Sequence, residues 1–373
     1  MSVAAFDRSS DSELELPLAP KGPDVPVNRW RSAVRTQVLS ELNAFLDDNH
    51  IDPIRGIAVD DIARHYLSGG KCLRSSFMYL GWLCGAAPSP AAVRAAAALE
   101  LVHAFALIQD DVMDGSDLRR GRPAAHIRFA AEHRDRALPG SASRFGESAA
   151  TLLGDICLVW SEKMLRDSGI EQPALDRLWP RYDSMRVELA LGQFADLLND
   201  ARSEPTLGPV LAIARAKSGN YTVRRPLEMG AAMAGCDDRT LAALGRYGDA
   251  VGEAFQLRDD LLGVFGAAEI TGKPGDTDLG QRKATTVVVA AAQLADTRTR
   301  RELTELLAAP SADAATLARL RTLIAATGAP ACIETMIANR IAEARRVLDV
   351  IPLPDTQRHL LYGMALICTA RHS

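Results

Sequence analysis

The stretch LELVHAFALIQDDVMDGSDLRRGR, residues 99–122, joins an apolar segment with helical spacing to an acidic cluster and a basic pair. Asp110 and Asp114 are four residues apart, so on a helix their carboxylates share one face and repel each other. A hard divalent cation relieves that repulsion, and a set of oxygen ligands suits magnesium. Arg119 and Arg120 follow closely, and their planar guanidinium groups match phosphate oxygens. The stretch therefore indicates a helix end that binds magnesium and phosphate.

A solvated acidic helix end is the alternative interpretation, because acidic clusters mostly lie on protein surfaces. The residues before the cluster are apolar at helical spacing, and they include Leu99, Leu101, Val102, Phe105, Ala106 and Ile108. Such a segment is typical of a core helix, so we expect the carboxylates to lie at the mouth of a cavity.

The composition favours an all-α protein. Alanine and leucine abound, aromatic residues make up 5% of the 373 residues, and glycine and proline cluster outside the periodic segments. Long helical segments with short connections predict a single large bundle of antiparallel helices around a central cavity. We predict continuous helices near 90–117, 207–235 and 278–295, among others, and no sheet. The net charge of −4 provides no general basic field, which argues against nucleic acid as a partner.

Residues 1–28 contain four prolines and no sustained periodicity, which predicts a disordered N-terminal tail. The tail is either a docking segment for an unknown partner or a plain solvated terminus. Helical patterning starts near Arg29, so residues 29–373 form the predicted all-helical domain.

The six cysteines are widely scattered and include no CxxC pair, which argues against a zinc site or a disulfide framework. We expect buried thiols in a reducing cytoplasm. No uncharged apolar run approaches the roughly 20 residues that a membrane helix needs, so we expect no membrane span.

Residues 254–263, AFQLRDDLLG, repeat the pattern of residues 106–114, ALIQDDVMD. In both, an apolar helical segment ends in paired aspartates that follow a glutamine closely. Two such helices facing each other in a bundle would place Asp259 across one cavity from the first acidic pair. Gly263 stands where the last acid would repeat. Taken alone, Asp259 and Asp260 would form a solvated helix face.

Three further segments combine lysine with glycine. They are SGGKCLR with Lys71 and Arg74, KSGNY with Lys217, and TGKPGDTD with Lys273, which Lys283 follows. Glycines let the backbone approach a ligand closely, and a helix N-terminus favours phosphate. The third segment has the composition of a lid over a charged site. Each lysine alone is explained by simple exposure, but together with two acidic helix ends they predict a cavity for two diphosphates and magnesium.

Other reaction classes find little support in the sequence. No Ser/His/Asp or Cys/His arrangement suggests nucleophilic hydrolysis. GGKCLR lacks the spacing of a P-loop, and the absence of predicted strands excludes a nicotinamide-binding fold.

In this order the motifs resemble those of the trans-isoprenyl diphosphate synthases, the polyprenyl synthetase family, and most of all its geranylgeranyl and farnesyl diphosphate synthases. The matching motifs are GGKCLR, LVHAFALIQDDVMD, RRGRPAAH, KSGNYT, FQLRDDLLG and GKPGDTDLGQRKATT. The resemblance covers about residues 58–290. It implies the isoprenoid synthase type of helical bundle, a homodimer, and condensation of isopentenyl diphosphate with an allylic diphosphate (dimethylallyl, geranyl or farnesyl).

The resemblance also implies a role for each basic and acidic residue. Isopentenyl diphosphate would be bound by Lys71, Arg74, His103 and Arg120. The allylic diphosphate would contact Arg119, Lys217, Ser218, Gln256, Lys273 and Lys283. Three magnesium ions per active site would lie between Asp110 and Asp114 on one side and Asp259 on the other, and these aspartates and Lys217 would be the catalytic groups. Asp111, Asp260 and Asp278 would orient them.

Phe105 is the residue expected to limit product length. It precedes Asp110 by five positions, so it lies roughly 7–8 Å deeper along the helix. Ala106 beside it adds no further block. In the family this pattern implies a product near twenty carbons, geranylgeranyl diphosphate first and farnesyl diphosphate second. Ordinary core packing is the alternative role of Phe105.

The sequence departs from the family pattern at several positions: Cys72, Ser75, Gln109, Ser218 and Gly263. We expect Gln109 to lie against the metal in place of a histidine. Two rival functions remain open, a terpene cyclase on the same scaffold and a non-catalytic regulatory subunit of a prenyl synthase. The four residues predicted to bind isopentenyl diphosphate argue against a cyclase, which needs no such site.

Overall fold

The computed structural model describes residues 26–200, 206–266, 277–280, 283–309 and 313–370, and within them helices dominate. The helices of the first half are α1 (Val27–Asp48), α2 (Val59–Leu67), α3 (Leu73–Leu83), α4 (Pro90–Met113), α5 (Ala125–Asp135), α6 (Ala142–Arg166) and α7 (Gln172–Asp200). Those of the second half are α8 (Leu207–Ala214), α9 (Arg225–Met233), α10 (Asp238–Phe265), α11 (Thr277–Gly280), α12 (Thr286–Leu294), α13 (Thr297–Ala308), α14 (Ala314–Ala326), α15 (Ala329–Val350) and α16 (Asp355–Thr369). The architecture confirms the predicted all-α fold.

Local chemistry explains where the two acidic helices begin and end. Pro90 starts α4 directly after Ser89, and a proline at the first helical position loses no hydrogen bond. Asp237 caps α10 by accepting a hydrogen bond from the backbone N–H of Thr240 at 2.8 Å. α4 ends at Met113, four residues before the predicted end, because Gly115 adopts a positive φ of 60°. The acidic cluster therefore lies at a true helix terminus.

α4 is the central helix of the larger of two apolar clusters. It packs against α1, α3 and α6, and most of its residues from Ala92 to Leu101 are fully buried. A smaller cluster joins the end of α10 to the helices from α12 to α15. α10 contributes to both clusters. By length and composition α4 could cross a membrane, but 67% of its most apolar window is buried among neighbouring helices, as in the core helix of a soluble protein.

A two-residue hairpin follows α4 and corrects the expectation of no sheet. β1 (Leu118–Arg119) pairs antiparallel with β2 (Arg122–Pro123). The two turn residues, Arg120 and Gly121, have φ values of 53° and 73°, and positive φ at both positions is what a type I′ turn requires. The hairpin directs Arg119 into the protein, where it is buried.

The helix predicted over 207–235 is interrupted by a π-helical segment, Arg215–Arg224, between α8 and α9. Gly219 in this segment packs directly on Gly252 of α10. A Cβ atom on Gly252 would lie 2.6 Å from the carbonyl oxygen of Gly219, so both positions exclude larger residues. This contact fixes the π-helical segment, which carries Lys217 and Ser218, against α10.

The predicted domain boundary is close to the observed start of structure. α1 begins at Val27, two residues before the predicted boundary at residue 29. The predicted disorder of the tail falls mainly on residues 1–25, which lie outside the described residues, so it stays a prediction.

Candidate active site

A cavity of about 640 Å³ lies between α4, α6, α7 and the π-helical segment. Its wall is mostly apolar, and it includes Phe105, Ala106, Leu107, Leu158, Leu189 and Phe194. Charged and polar groups also line it: Arg74, His103, Asp110, Arg186, Lys217 and Ser218. Of the two carboxylates expected at the mouth of a cavity, Asp110 lines this apolar chamber and Asp114 is not among its lining residues.

Asp110 is the centre of a network of charges. The ammonium nitrogen of Lys217 lies 3.1 Å from Asp110 Oδ1 and 2.7 Å from Asp196 Oδ2. Arg119 approaches Asp110 Oδ2 at 3.6 Å. Burial opposes the charge on Asp110, but Lys217, Lys283 and Arg119 outweigh it and lower the pKa of its carboxyl group. Asp110 is therefore ionised, as a metal ligand must be.

Asp111 has a structural role at the base of this network. It is 1% exposed, and Arg119 donates from Nε to both of its oxygens at 2.9 and 3.1 Å. Tyr66 donates to Asp111 Oδ2 at 2.8 Å and accepts from the backbone N–H of Ala125 at 2.9 Å. The predicted contact of Arg119 with the allylic diphosphate stays a prediction, because here its guanidinium group is bound to aspartates.

The segment from Lys283 to Thr286 connects the two acidic helix ends. Lys283 donates a hydrogen bond to Asp114, and the backbone N–H of Thr286 donates to Asp260 Oδ2 at 3.0 Å. Three residues of chain span at most about 11 Å, so the two aspartate clusters lie close together. Burial opposes the charge on Lys283, but Asp114 and Asp110 outweigh it and raise its pKa.

The residues predicted around the second acidic pair have different environments. Asp260 is buried and binds both Thr286 and the side-chain amide of Gln256, whose Nε2 donates at 2.7 Å. Asp259, one position earlier, is half-buried. Asp260 thus holds the Gln256 side chain and the start of α12, and its predicted role in orienting the metal and diphosphate ligands stays a prediction. Metal binding by Asp259 and diphosphate binding by Gln256 stay predictions.

The opposite side of the cavity carries positive charge. The guanidinium carbon of Arg74 lies 4.2 Å from the ring centroid of Tyr221, and the rings of Tyr221 and His103 are 6.3 Å apart. Among the described residues, neither Arg74 Nε nor His103 Nδ1 has a hydrogen-bond partner, although both atoms are buried. Burial, helped by Arg74, Arg120 and Arg119, lowers the pKa of His103 well below its ordinary value, so the ring is neutral. A buried guanidinium N–H without an acceptor suits an anionic ligand, and neutral His103 can donate to the same ligand in the tautomer that carries its proton on Nδ1.

Arg120 reaches the glycine loop that precedes α3. Its Nη1 donates to the backbone carbonyl of Ser68 at 2.6 Å. A Cβ atom on Gly70 would lie 3.6 Å from both Arg120 Nη2 and Glu100 Oε2, so the loop approaches these charges closely. Lys71 is exposed in this loop. The structure thus brings Arg120 beside the loop that carries Lys71, as the motif order predicted.

The chemistry of the acidic groups fits magnesium. Among the described residues, no cluster of three or more His, Cys, Asp or Glu side chains is arranged to hold a metal ion. Magnesium commonly binds through one or two carboxylates and completes its shell with water and substrate phosphates. Asp110 Oδ1 is buried and lies 3.1 Å from the Lys217 ammonium group, so a magnesium ion bound by Asp110 would share this carboxylate with that lysine. A set of separate carboxylates around a cavity therefore fits a metal that arrives with its substrate.

Gln109 makes a contact that the sequence did not predict. Its Nε2 donates to the backbone carbonyl of Thr151 on α6 at 3.3 Å. The same amide packs on Gly154, where a Cβ atom would come within 3.0 Å of it. Gln109 therefore joins α4 to α6 while it also lines the cavity next to Asp110, and its expected position against the metal stays a prediction.

Phe105 and Ala106 line the cavity and also pack against the main apolar cluster. Both interpretations of Phe105, cavity wall and core packing, thus describe real contacts. Leu158, Leu189 and Arg186 line the same cavity.

Sequence reasoning missed two residues of α7: Asp196, which pairs with Lys217, and Arg186, which lines the cavity. Asp196 shares Lys217 with Asp110. The available signal was a polar pair, Gln193 and Asp196, three residues apart within the apolar run LALGQFADLL. Lys273 lies outside the described residues, as does the side chain of Asp278, so their predicted roles stay predictions.

The sequence is similar to those of known prenyl diphosphate synthases. The family model described as Polyprenyl synthetase matches residues 58–324. The chain is 34% identical to a geranylgeranyl diphosphate synthase of Mycobacterium tuberculosis over 81% of this chain and 80% of that protein. It is 29% identical to a geranylfarnesyl diphosphate synthase of Aeropyrum pernix over 86% of this chain and 98% of that protein.

The fold is also similar to solved structures. A geranylgeranyl pyrophosphate synthase from Corynebacterium glutamicum, crystallised with isoprenyl diphosphate and magnesium, superimposes with a TM-score of 0.85. It is 32% identical in sequence, and the match covers 93% of this chain and 99% of that one.

Proposed function

The chain belongs to the polyprenyl synthetase family, and we propose that it is a short-chain prenyltransferase that condenses isopentenyl diphosphate with an allylic diphosphate. Its product is geranylgeranyl diphosphate. Two similar proteins, from Mycobacterium tuberculosis and Corynebacterium glutamicum, bear the name of that synthase. Farnesyl diphosphate is the second candidate, since a farnesyl diphosphate synthase is 33% identical over 58% of this chain.

One observation carries the proposal: two oppositely charged groups of side chains flank one apolar cavity. Asp110 and Asp114 at the end of α4 are paired with lysines, while Arg74 and His103 on the other side hold buried nitrogen atoms that have no hydrogen-bond partner within the described part of the chain. A reaction between two diphosphates with apolar tails needs such a site, with one diphosphate on each charged side and the tail in the cavity.

The residues of this chain bind, orient and exclude water. Lys71, Arg74, His103 and Arg120 hold isopentenyl diphosphate, with His103 donating as a neutral imidazole. Lys217 and Lys283 remain protonated because the aspartates beside them outweigh the cost of burial. They place positive charge where the allylic diphosphate accumulates negative charge as it leaves. The apolar wall shields the allylic cation from water until the isopentenyl double bond attacks it, after which a proton passes to the departed diphosphate.

Asp110 and Asp114 on one side and Asp259 on the other would hold magnesium, three ions per active site. When bound, magnesium supplies positive charge that neutralises the allylic diphosphate and makes it a better leaving group. A solved relative contains isoprenyl diphosphate and magnesium, which supports this cofactor.

The assembly we propose is a homodimer in the cytoplasm. Exposed apolar residues form a stripe on α6, with Leu152 and Val159, and another on α7, with Val187, Leu191 and Leu198. Exposed apolar stripes of this kind favour burial against a second subunit. The six cysteines are free thiols, three buried as expected and three, Cys84, Cys236 and Cys332, only half-buried.

The test is an assay of the purified chain with magnesium, isopentenyl diphosphate and each allylic diphosphate in turn, with product length read by mass spectrometry. We expect a twenty-carbon diphosphate from farnesyl diphosphate and one isopentenyl unit. A hydrocarbon formed from one prenyl diphosphate without isopentenyl diphosphate would indicate a cyclase. Turnover only after addition of a second synthase would indicate a regulatory subunit.

A further inference from the structure

Arg186 on α7 is a charged residue at the apolar end of the cavity. Its guanidinium group donates to Glu162 of α6 and, at 2.6 Å, to Asp183. It also stacks on Tyr182, with its central carbon 4.3 Å from the ring centroid. Arg186 Nε is buried and has no hydrogen-bond partner among the described residues. The group is thus held in place by three neighbours while it faces an apolar chamber.

The depth of Arg186 follows from the helices that carry it. The acidic rim of the cavity is the end of α4 that carries Asp110 and Asp114. Asp196 lies at this rim, because Lys217 joins it to Asp110. Arg186 precedes Asp196 by ten residues on the same helix, which corresponds to about 15 Å. Phe105 lies only about 7.5 Å below Asp110 on α4. Arg186 is therefore about twice as deep as Phe105.

α6 provides an independent estimate of the same depth. Thr151 is level with Gln109, beside the rim, because the two residues are hydrogen-bonded. Glu162 follows Thr151 by eleven residues, which corresponds to about 16 Å along α6. The two helices thus place the Glu162–Arg186 pair at one level, as the hydrogen bond between them requires.

A second, polar groove of about 340 Å³ lies beyond this pair. Glu162, Arg166, Trp179 and Asp183 line it, and Arg186 lines both the groove and the cavity. Arg186 therefore separates the apolar chamber from the polar groove.

We propose that the Glu162–Arg186 ion pair is the end wall of the product cavity and limits the length of the prenyl chain, in addition to Phe105. This inference rests on the proposed prenyltransferase activity. A hydrocarbon tail that grows past Arg186 must remove water from an ion pair and offers no hydrogen bond in return, which costs far more than contact with an apolar wall. Phe105 is an aromatic wall near the rim. The ion pair is a charged wall at greater depth, and it stops any prenyl chain that grows past Phe105.

The experiment compares Arg186→Ala and Arg186→Met with wild type. Each protein is incubated with magnesium, farnesyl diphosphate and excess isopentenyl diphosphate, and the products are separated by chain length. Alanine opens the wall, and methionine removes the charge while keeping most of the volume, so one informative variant remains if the other fails to fold. The matched control is Arg166→Ala, since Arg166 contacts Glu162 at 3.6 Å from the groove side and does not line the cavity.

We expect both Arg186 variants to raise the ratio of longer products to the wild-type product by about tenfold or more, the discrimination that a misfit apolar group commonly provides. The control should keep the wild-type distribution. An active Arg186 variant with unchanged product length would overturn the inference and leave the proposed function intact. Equal lengthening by Arg166→Ala would also overturn it, because the effect would then come from Glu162 alone. Absence of prenyl transfer in the wild-type protein would instead refute the proposed function.

Discussion

Lys283 is paired with Asp114, a carboxylate that lies 169 residues earlier in the chain. The pair joins the end of α4 to the segment that precedes α12, and the same segment binds Asp260 through Thr286. Two helix ends that are remote in sequence are thus held at one rim. In the proposed reaction, Lys283 contacts the allylic diphosphate that binds between these two helix ends.

Replacement of Lys283 by methionine should weaken that rim. The variant keeps most of the side-chain volume but leaves Asp114 without its cation, so we expect kcat/KM for the allylic diphosphate to fall about 30-fold or more, which corresponds to about 2 kcal/mol. The control is Lys163→Met, since Lys163 pairs with Asp167 on the exposed face of α6 at 2.7 Å. Steady-state kinetics of both variants give the comparison. A Lys283→Met enzyme within threefold of wild type would remove Lys283 from the allylic site.

Asp110→Asn tests the predicted metal ligand. Asparagine keeps the shape of the side chain but removes the charge, and Lys217 retains Asp196 as a partner, so the fold should persist. We expect turnover to fall by roughly 10²–10³-fold or more, the loss typical of a group that stabilises transition-state charge. Asp155→Asn is the control, because Asp155 also lines the cavity. Equal activity of the two variants would show that Asp110 does not hold the metal.

Phe105→Ala tests whether the aromatic ring near the rim limits the chain length of the product. Removal of the ring enlarges the cavity near the rim, so a larger share of long products is expected from farnesyl diphosphate. Phe145→Ala removes an equal ring that packs on His133, with ring centroids 5.2 Å apart, and does not line the cavity. Product analysis by mass distinguishes the two. If both variants give the wild-type product, Phe105 serves only core packing.

The buried His103 should make stability depend on pH. Burial, with Arg74, Arg120 and Arg119 nearby, lowers its pKa well below the value near 6.5 expected in the unfolded chain. Below pH 6.5 the unfolded state therefore binds more protons than the folded state, so the free energy of unfolding decreases as the pH falls, by up to about 1.4 kcal/mol per pH unit.

Urea unfolding of wild type and His103→Asn at pH 7.5 and 5.5 measures this contribution. We expect the wild type to lose more stability than the variant between the two values. The same loss in both proteins would mean that His103 takes up a proton in the folded state as readily as in the unfolded chain.

The features that were predictable from the sequence depend on neighbours in the chain. The four-residue spacing of Asp110 and Asp114 puts both at one helix end whatever surrounds them. The glycines before Lys71 and the basic pair after Asp114 are equally local signals. The all-α class was predictable from composition and helical periodicity. The many buried alanines of α4 are an example of both signals.

Long-range partners were not predictable in this way. Nothing in the sequence indicated that the amide of Gln109 would bind the Thr151 carbonyl 42 residues away. Arg186 becomes informative only when α6 and α7 bring it to Glu162 at the end of the cavity. The hairpin of Leu118–Arg119 and Arg122–Pro123 has strands of two residues, which are too short to show a strand pattern. Its turn depends on the positive φ of Arg120.

The stoichiometry of diphosphate release tests the central claim most directly. Purified protein with magnesium and farnesyl diphosphate is titrated with isopentenyl diphosphate, and the released diphosphate is measured alongside isopentenyl diphosphate consumed and product mass. The account predicts one diphosphate released for each isopentenyl unit consumed, a twenty-carbon main product, and no release without isopentenyl diphosphate or magnesium. Release of diphosphate from farnesyl diphosphate alone, with no elongated product, would contradict it.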